Sequence, residues 1–132
     1  MKFARRVFLI AGIYGVVVLL PQYFLEQRHA VDRPPAITHA EYYYGFVGVA
    51  LAWQIAFFMI SRDPVRFRPI MIAAILEKAA FGPATIVLFL AGRLDLEMLA
   101  AGILDMTWGI LFAIAWVKTR PPAYSTDALA AG

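Results

Sequence analysis

Residues 69–91 read PIMIAAILEKAAFGPATIVLFLA, an apolar stretch that carries two adjacent charges, Glu77 and Lys78. At 1.5 Å per residue, a helix of this length can cross a hydrocarbon core about 30 Å thick. A charged side chain at that depth costs roughly 2.5–3.5 kcal/mol on insertion scales. The stretch therefore predicts a transmembrane helix whose charges either hold helices together or handle a substrate.

Three further apolar stretches of similar length accompany this one. The four predicted spans cover residues 7–25, 42–60, 69–91 and 98–117. Of the 132 residues, 62% are hydrophobic and 16% are charged, whereas a soluble domain is about half apolar and about a quarter charged. The short connections leave no room for a separate globular domain. We predict an all-α polytopic membrane protein in which residues 1–132 form a single four-helix transmembrane bundle.

The basic residues lie mainly at one end of this predicted bundle. Three belong to the other end, namely Arg28, Arg33 and Arg93. By the positive-inside rule, this asymmetry predicts a multi-pass inner (plasma) membrane protein with both termini in the cytoplasm. No nucleic-acid partner is expected, because the cations sit at helix ends. The eight at the cytoplasmic end are Lys2, Arg5, Arg6, Arg62, Arg66, Arg68, Lys118 and Arg120.

Local sequence signals support the span boundaries. Residues 21–28 contain no small-x-small cleavage pattern, so we expect the first span to be retained rather than removed as a signal peptide. Thr38-His-Ala-Glu41 has the capping-box pattern and predicts that the second helix starts with Thr38 as its N-cap. Pro69 is suited to the first turn of the third helix. Pro121-Pro122 predicts the end of the fourth, followed by a disordered tail.

Polar side chains from all four spans are predicted to form one layer inside the bundle, nearer the cytoplasmic end. Counting residues from the span ends places Glu77 about 12 Å deep and Asp105 about 18 Å deep. Lys78 and Asp105 are expected to pair, which leaves Glu77 free to bond Gln54 or to transfer a proton. The layer consists of Tyr14, Gln54, Glu77, Lys78 and Asp105.

Small residues recur at a spacing of four in two of the spans. Membrane helices approach each other most closely through such residues, so we expect both stripes to face neighbouring helices. In span two the stripe is Gly48, Ala52 and Ala56, and in span four it is Ala101, Asp105, Gly109 and Ala113.

A break in the third span suggests a cavity beside the charged pair. Pro83, one turn above Lys78, removes a backbone donor and predicts a kink there. Such breaks line cavities in some proteins and are purely structural in others. Aromatic residues that could wall a pocket include Tyr14, Trp53, Phe57, Phe58, Phe81 and Trp108. Ordinary aromatic packing is the alternative interpretation.

No cofactor is expected, because the sequence has no phosphate-cradling glycine loop and no dinucleotide fingerprint. Glu26-x-x-His29 offers two ligand types on one helical face, but histidines in an outer loop are usually solvated, so no metal is expected either. The leading hypothesis is a non-enzymatic module within the lipid bilayer that binds a lipid, a small apolar ligand or a partner helix through the layer of Glu77, Lys78 and Asp105. The alternatives are a membrane enzyme or proton-coupled carrier that uses Glu77, and a structural subunit of a homo- or hetero-oligomer.

The four-span plan resembles the small bacterial membrane proteins of the DoxX-like families. Residues 51–58 (LAWQIAFF), the basic loop, residues 67–70 (FRPI) and Glu77 are also similar to the EXPERA group, which includes the sigma-two receptor and the emopamil-binding protein. This resemblance implies a cavity for a lipid-like ligand, with Gln54 and Glu77 in its lining. The group's acidic residue in the first span has no counterpart here, where Tyr14 is the comparable polar residue.

Overall fold

The computed structural model describes residues 1–120, which form helices connected by short turns and contain no β-strand. Four segments are long and apolar enough to cross a membrane: Lys2–Phe24, Ala40–Arg62, Arg68–Leu90 and Leu96–Lys118. This confirms the predicted all-α four-helix bundle and supports a multi-pass membrane protein. The predicted stop at Pro121-Pro122 and the tail lie outside the described residues. The helices are α1 (Lys2–Leu19), α2 (Glu26–Asp32), α3 (Ala40–Arg62), α4 (Arg68–Leu90) and α5 (Leu96–Lys118).

The helix ends differ from the sequence predictions in two places. Helix α1 tightens into a 3₁₀ turn at Leu20–Phe24, where Pro21 lacks the amide that would continue the α-helical bonding. The prediction of a capping box with Thr38 as N-cap is wrong, because α3 begins at Ala40 and its N-cap residue, His39, makes no side-chain capping bond. The carboxylate of Glu41 lies 3.1 Å from the ring Nδ1 of His39 instead. Pro69 does occupy the first turn of α4, as predicted.

The helices pack as two close pairs. Helix α1 lies along α3 and α4 along α5, and α1 joins the pairs by contacting α5. By contrast, α3 and α4 meet over only a short length. Three buried rings form the centre of the core, where Phe8 stacks on Phe112 at 4.3 Å and Phe57 packs against Phe112 at 5.0 Å. The core therefore lies toward the end that carries the N-terminus, and the α3–α4 side stays open.

The prediction for the small residues of α3 is only partly right. Gly48 is half-buried, and a Cβ on it would lie 3.1 Å from the Tyr23 hydroxyl, but the rest of the stripe does not form a close helix contact. The buried face of α3 carries larger residues, and Ala52 is exposed. The small surface is supplied by α1, where a Cβ on Gly15 would overlap the Gln54 side chain. A contact between two helices needs small residues on only one of them, and here α1 takes that role. The buried residues of α3 are Val47, Ala50, Gln54, Phe57 and Ile60.

Candidate functional site

The charged residues of α4 and α5 form a cluster of one cation and two carboxylates. Lys78 Nζ lies 2.8 Å from Asp105 Oδ1, which confirms the predicted interhelical ion pair. The same ammonium lies 3.0 Å from Glu77 Oε2 and donates to Glu77 Oε1 at 3.2 Å. The expectation that Glu77 is left without a cation is therefore wrong. The flexible four-carbon stem of lysine lets one ammonium reach both carboxylates.

Lys78 belongs to the interface between α4 and α5. It is 8% exposed and lies on the buried face of α4, between Ala74 and Gly82. A Cβ on Gly109 would lie 3.1 Å from Lys78 Cβ, so α5 passes directly over the base of the lysine side chain. The ammonium lies 5.7 Å from the Phe57 ring, where the ring face adds a cation–π attraction. Lys78 thus links the α4–α5 interface to the aromatic core.

Glu77 faces a different side of α4. Its side chain is 26% exposed and contributes to the wall of a groove of about 340 Å³ between α3 and α4. The groove is open rather than enclosed, because α3 and α4 contact each other over only a short length. Among the described residues, Glu77 is the one charged member of its lining, which also contains Phe46, Val49, Ala50, Trp53, Ala80, Phe81 and Ala84.

A second hollow continues along the same side of the bundle. Its volume is about 300 Å³, and Val49 and Trp53 line both hollows. Ala52 and Ala56, from the small-residue stripe of α3, line the second one together with Ile70 of α4. The stripe therefore faces this open side and leaves space there. Of the aromatic residues considered as pocket walls, Trp53 and Phe81 line the groove, whereas Phe57 is part of the core.

Gln54 and Tyr14 lie apart from the charged cluster. Gln54 is 3% exposed, and its amide donates to the backbone oxygen of Ala50 at 2.7 Å, so the proposed bond to Glu77 is not made. Tyr14 is 39% exposed and packs against Trp108, with 6.0 Å between ring centroids. Within residues 1–120, the Tyr14 hydroxyl makes no hydrogen bond to Glu77, Lys78 or Asp105. The predicted layer of five residues thus reduces to a cluster of three.

The cluster leaves one acceptor incompletely bonded. With both carboxylates ionised and Lys78 protonated, the formal charge of the three groups is −1. Glu77 Oε2 is buried and close to the ammonium, but the angle is unsuitable, and it has no hydrogen-bond partner among the described residues. The excess negative charge allows the carboxylates to accept from a further donor, and Glu77 is the carboxylate that lines the groove.

The candidate metal ligands of the outer loop have other partners. His29 Nε2 lies 2.6 Å from Gln22 Oε1, and the Tyr44 hydroxyl donates to Glu26 Oε2 at 2.6 Å. Among residues 1–120, no three His, Asp or Glu side chains are grouped closely enough to hold a metal ion. These contacts instead tie α2 to the 3₁₀ turn and to the start of α3.

Comparisons with protein-family models, curated proteins and solved structures return no match for this chain. The resemblance to the DoxX-like and EXPERA groups stays a prediction. The groove and the charged cluster are the structural features that bear on function.

Proposed function

We propose that the protein binds a lipid chain or another small apolar ligand in the groove between α3 and α4. The observation that carries the proposal is the groove itself, an open hollow with apolar walls and a single carboxylate, that of Glu77. Ligand sites are typically concave and mostly apolar, with a few polar groups that fix orientation. Since the groove opens sideways from helices that span the bilayer, a ligand can enter from the hydrocarbon phase.

The three charged residues have different tasks in this proposal. Lys78 and Asp105 join α4 to α5 and also fix the position of Glu77 through the shared ammonium. Glu77, whose side chain is 26% exposed at the groove, accepts a hydrogen bond from a donor group of the ligand. Gln54 and Tyr14 act in helix packing rather than in binding. This division assigns binding to Glu77 and structural support to the other two.

Filling the groove is expected to reduce ligand capture. Ala84 lines the groove, whereas Ala79 lies exposed on another face of the same helix. In vesicles that contain a phospholipid with a photoreactive acyl chain, we expect Ala84→Trp to lower labelling of Trp53 and Phe81 several-fold. Ala79→Trp introduces the same bulk away from the groove and should leave that labelling unchanged. Mass spectrometry of proteolytic fragments locates the labelled residues.

The same experiment can contradict the proposal. If Trp53 and Phe81 are labelled no more than exposed residues of α5 such as Ile103 and Ile110, the groove holds no preferred ligand. If labelling of the groove is absent and a second protein chain is cross-linked there instead, the occupant is a partner helix. Either result overturns lipid binding.

We also propose that the protein resides in the inner (plasma) membrane with both termini in the cytoplasm. The basic asymmetry supports this orientation, because eight cations belong to helix ends that the contacts of Lys118 with Phe3 and of Arg68 with Trp116 bring together. A fluorescent protein fused to the C-terminus should be fluorescent, and a phosphatase that is active only outside the cytoplasm should be active when inserted after Arg93. The reverse pair of results would invert the topology.

A further inference from the structure

Two arginines lie against the same tryptophan ring at the basic end of the bundle. The guanidinium carbon of Arg68, at the start of α4, is 4.1 Å from the centre of the Trp116 ring. That of Arg120, just after α5, is 5.6 Å from the same ring. Stacking on an aromatic face is a preferred arrangement of arginine. We refer to Arg68, Trp116 and Arg120 as the arginine–tryptophan site.

The positive charge at this site is not neutralised by a carboxylate in residues 1–120. The described salt bridges involve neither arginine. Asp63 is the single described acidic residue at this end, and its Oδ1 accepts from the backbone amide of Arg66 at 3.1 Å. Two like charges held on one ring repel each other. An anion bound beside either guanidinium would reduce that repulsion.

The Arg68 side chain is held in place and still has unused N–H donors. Its Nε donates to the Trp116 backbone oxygen at 3.1 Å, and the ring stacking fixes the plane of the guanidinium. Among residues 1–120 this is its only side-chain hydrogen bond, so both terminal nitrogens remain available. A guanidinium offers parallel N–H groups that match two oxygens of a phosphate. Lys118, whose ammonium lies 4.7 Å from the Phe3 ring, adds a third cation beside α5.

We propose that the arginine–tryptophan site binds the phosphate of an anionic phospholipid headgroup. The site lies where α4 begins and α5 ends, which is the level of the headgroups when these helices span a bilayer. Basic residues between transmembrane helices on the cytoplasmic side are suited to such headgroups, and tryptophan is favoured at the same level. This site is separate from the α3–α4 groove and does not depend on ligand binding there.

The test measures phosphatidylglycerol bound to the full-length protein. The protein is reconstituted in vesicles of phosphatidylcholine and phosphatidylglycerol, released into detergent, and examined by native mass spectrometry. Each of Arg68→Gln and Arg120→Gln is expected to lower phosphatidylglycerol affinity about five-fold. Arg93→Gln removes a charge at the opposite end and should have no effect. Arg68→Lys keeps the charge without the planar donors, and its affinity should fall between those of wild type and Arg68→Gln.

Three outcomes would overturn the proposal. Equal losses from Arg5→Gln and Arg6→Gln, which lie at the same end but away from Trp116, would mean diffuse attraction rather than a site. Retention of phosphatidylglycerol in both Arg68→Gln and Arg120→Gln would mean that these residues do not bind it. Displacement of the lipid by millimolar inorganic phosphate would identify free phosphate as the ligand. If one variant fails to fold by circular dichroism, the other decides the result.

Discussion

Replacing Lys78 with methionine is expected to destabilise the protein by roughly 3–5 kcal/mol, the usual cost of removing one partner from a buried ion pair. The change leaves Glu77 and Asp105 facing each other's negative charge without the ammonium that each now contacts. The substitution preserves most of the side-chain volume, so packing against Gly109 changes little. The loss should appear as a melting temperature lowered on the order of 10 °C in detergent.

Matched variants separate this effect from a general loss of charge. Lys2→Met removes an exposed cation from α1 and should change stability by less than about 0.5 kcal/mol. Asp105→Asn and Glu77→Gln should each cost less than Lys78→Met, because Lys78 keeps one carboxylate in either variant. In the triple variant Lys78→Met, Glu77→Gln, Asp105→Asn, most of the stability should return, since no buried charge is left unpaired. A Lys78→Met protein as stable as Lys2→Met would show that the cluster contributes nothing.

The fold could be predicted from the sequence because span length and hydropathy are local properties. Each of the four spans has the apolar length that crossing a bilayer requires, whereas helices in the core of a small soluble domain do not require four apolar stretches this long. The ion pair could be predicted for a similar reason. Lys78 is the only cation inside any span, so an acidic residue in a neighbouring span has one available partner. Both predictions depend only on the residues within each span and do not require knowledge of how the helices pack.

The rest of the site depends on how the helices pair, which the sequence pattern did not determine. The stripe of Ala52 and Ala56 is equally suited to a helix contact and to an open groove. Packing of the aromatic core decides between them. With Phe57 buried in the core, the stripe on α3 faces the opening between α3 and α4. Gln54 likewise does not reach Glu77, because its side chain packs against α1, where Gly15 leaves space for it. Similarly, the contact of two arginines with Trp116 requires the ends of α4 and α5 to be adjacent.

Replacing Gly102 with alanine is expected to force α4 and α5 apart. The added Cβ would overlap Thr85 Oγ1 and lie 2.7 Å from Thr85 Cβ. Thr85 cannot turn away easily, because it is buried and its hydroxyl donates to the Gly82 backbone oxygen at 2.7 Å. Overpacking of this kind costs about 1–3 kcal/mol. The melting temperature in detergent should fall accordingly.

Gly45→Ala is the matched control, since it adds the same methyl group to a helical glycine that has no atom within 4 Å of the new Cβ. Alanine is favoured over glycine inside a helix by about 1 kcal/mol, so this variant should be as stable as wild type or more so. Adding Thr85→Gly to Gly102→Ala moves the small residue to the opposite helix and should recover part of the loss. If Gly102→Ala instead has the same melting temperature as Gly45→Ala, α4 and α5 are not in close contact at Thr85. The ion pair between Lys78 and Asp105 would then lack the close interface that holds it, because the same two helices carry both contacts.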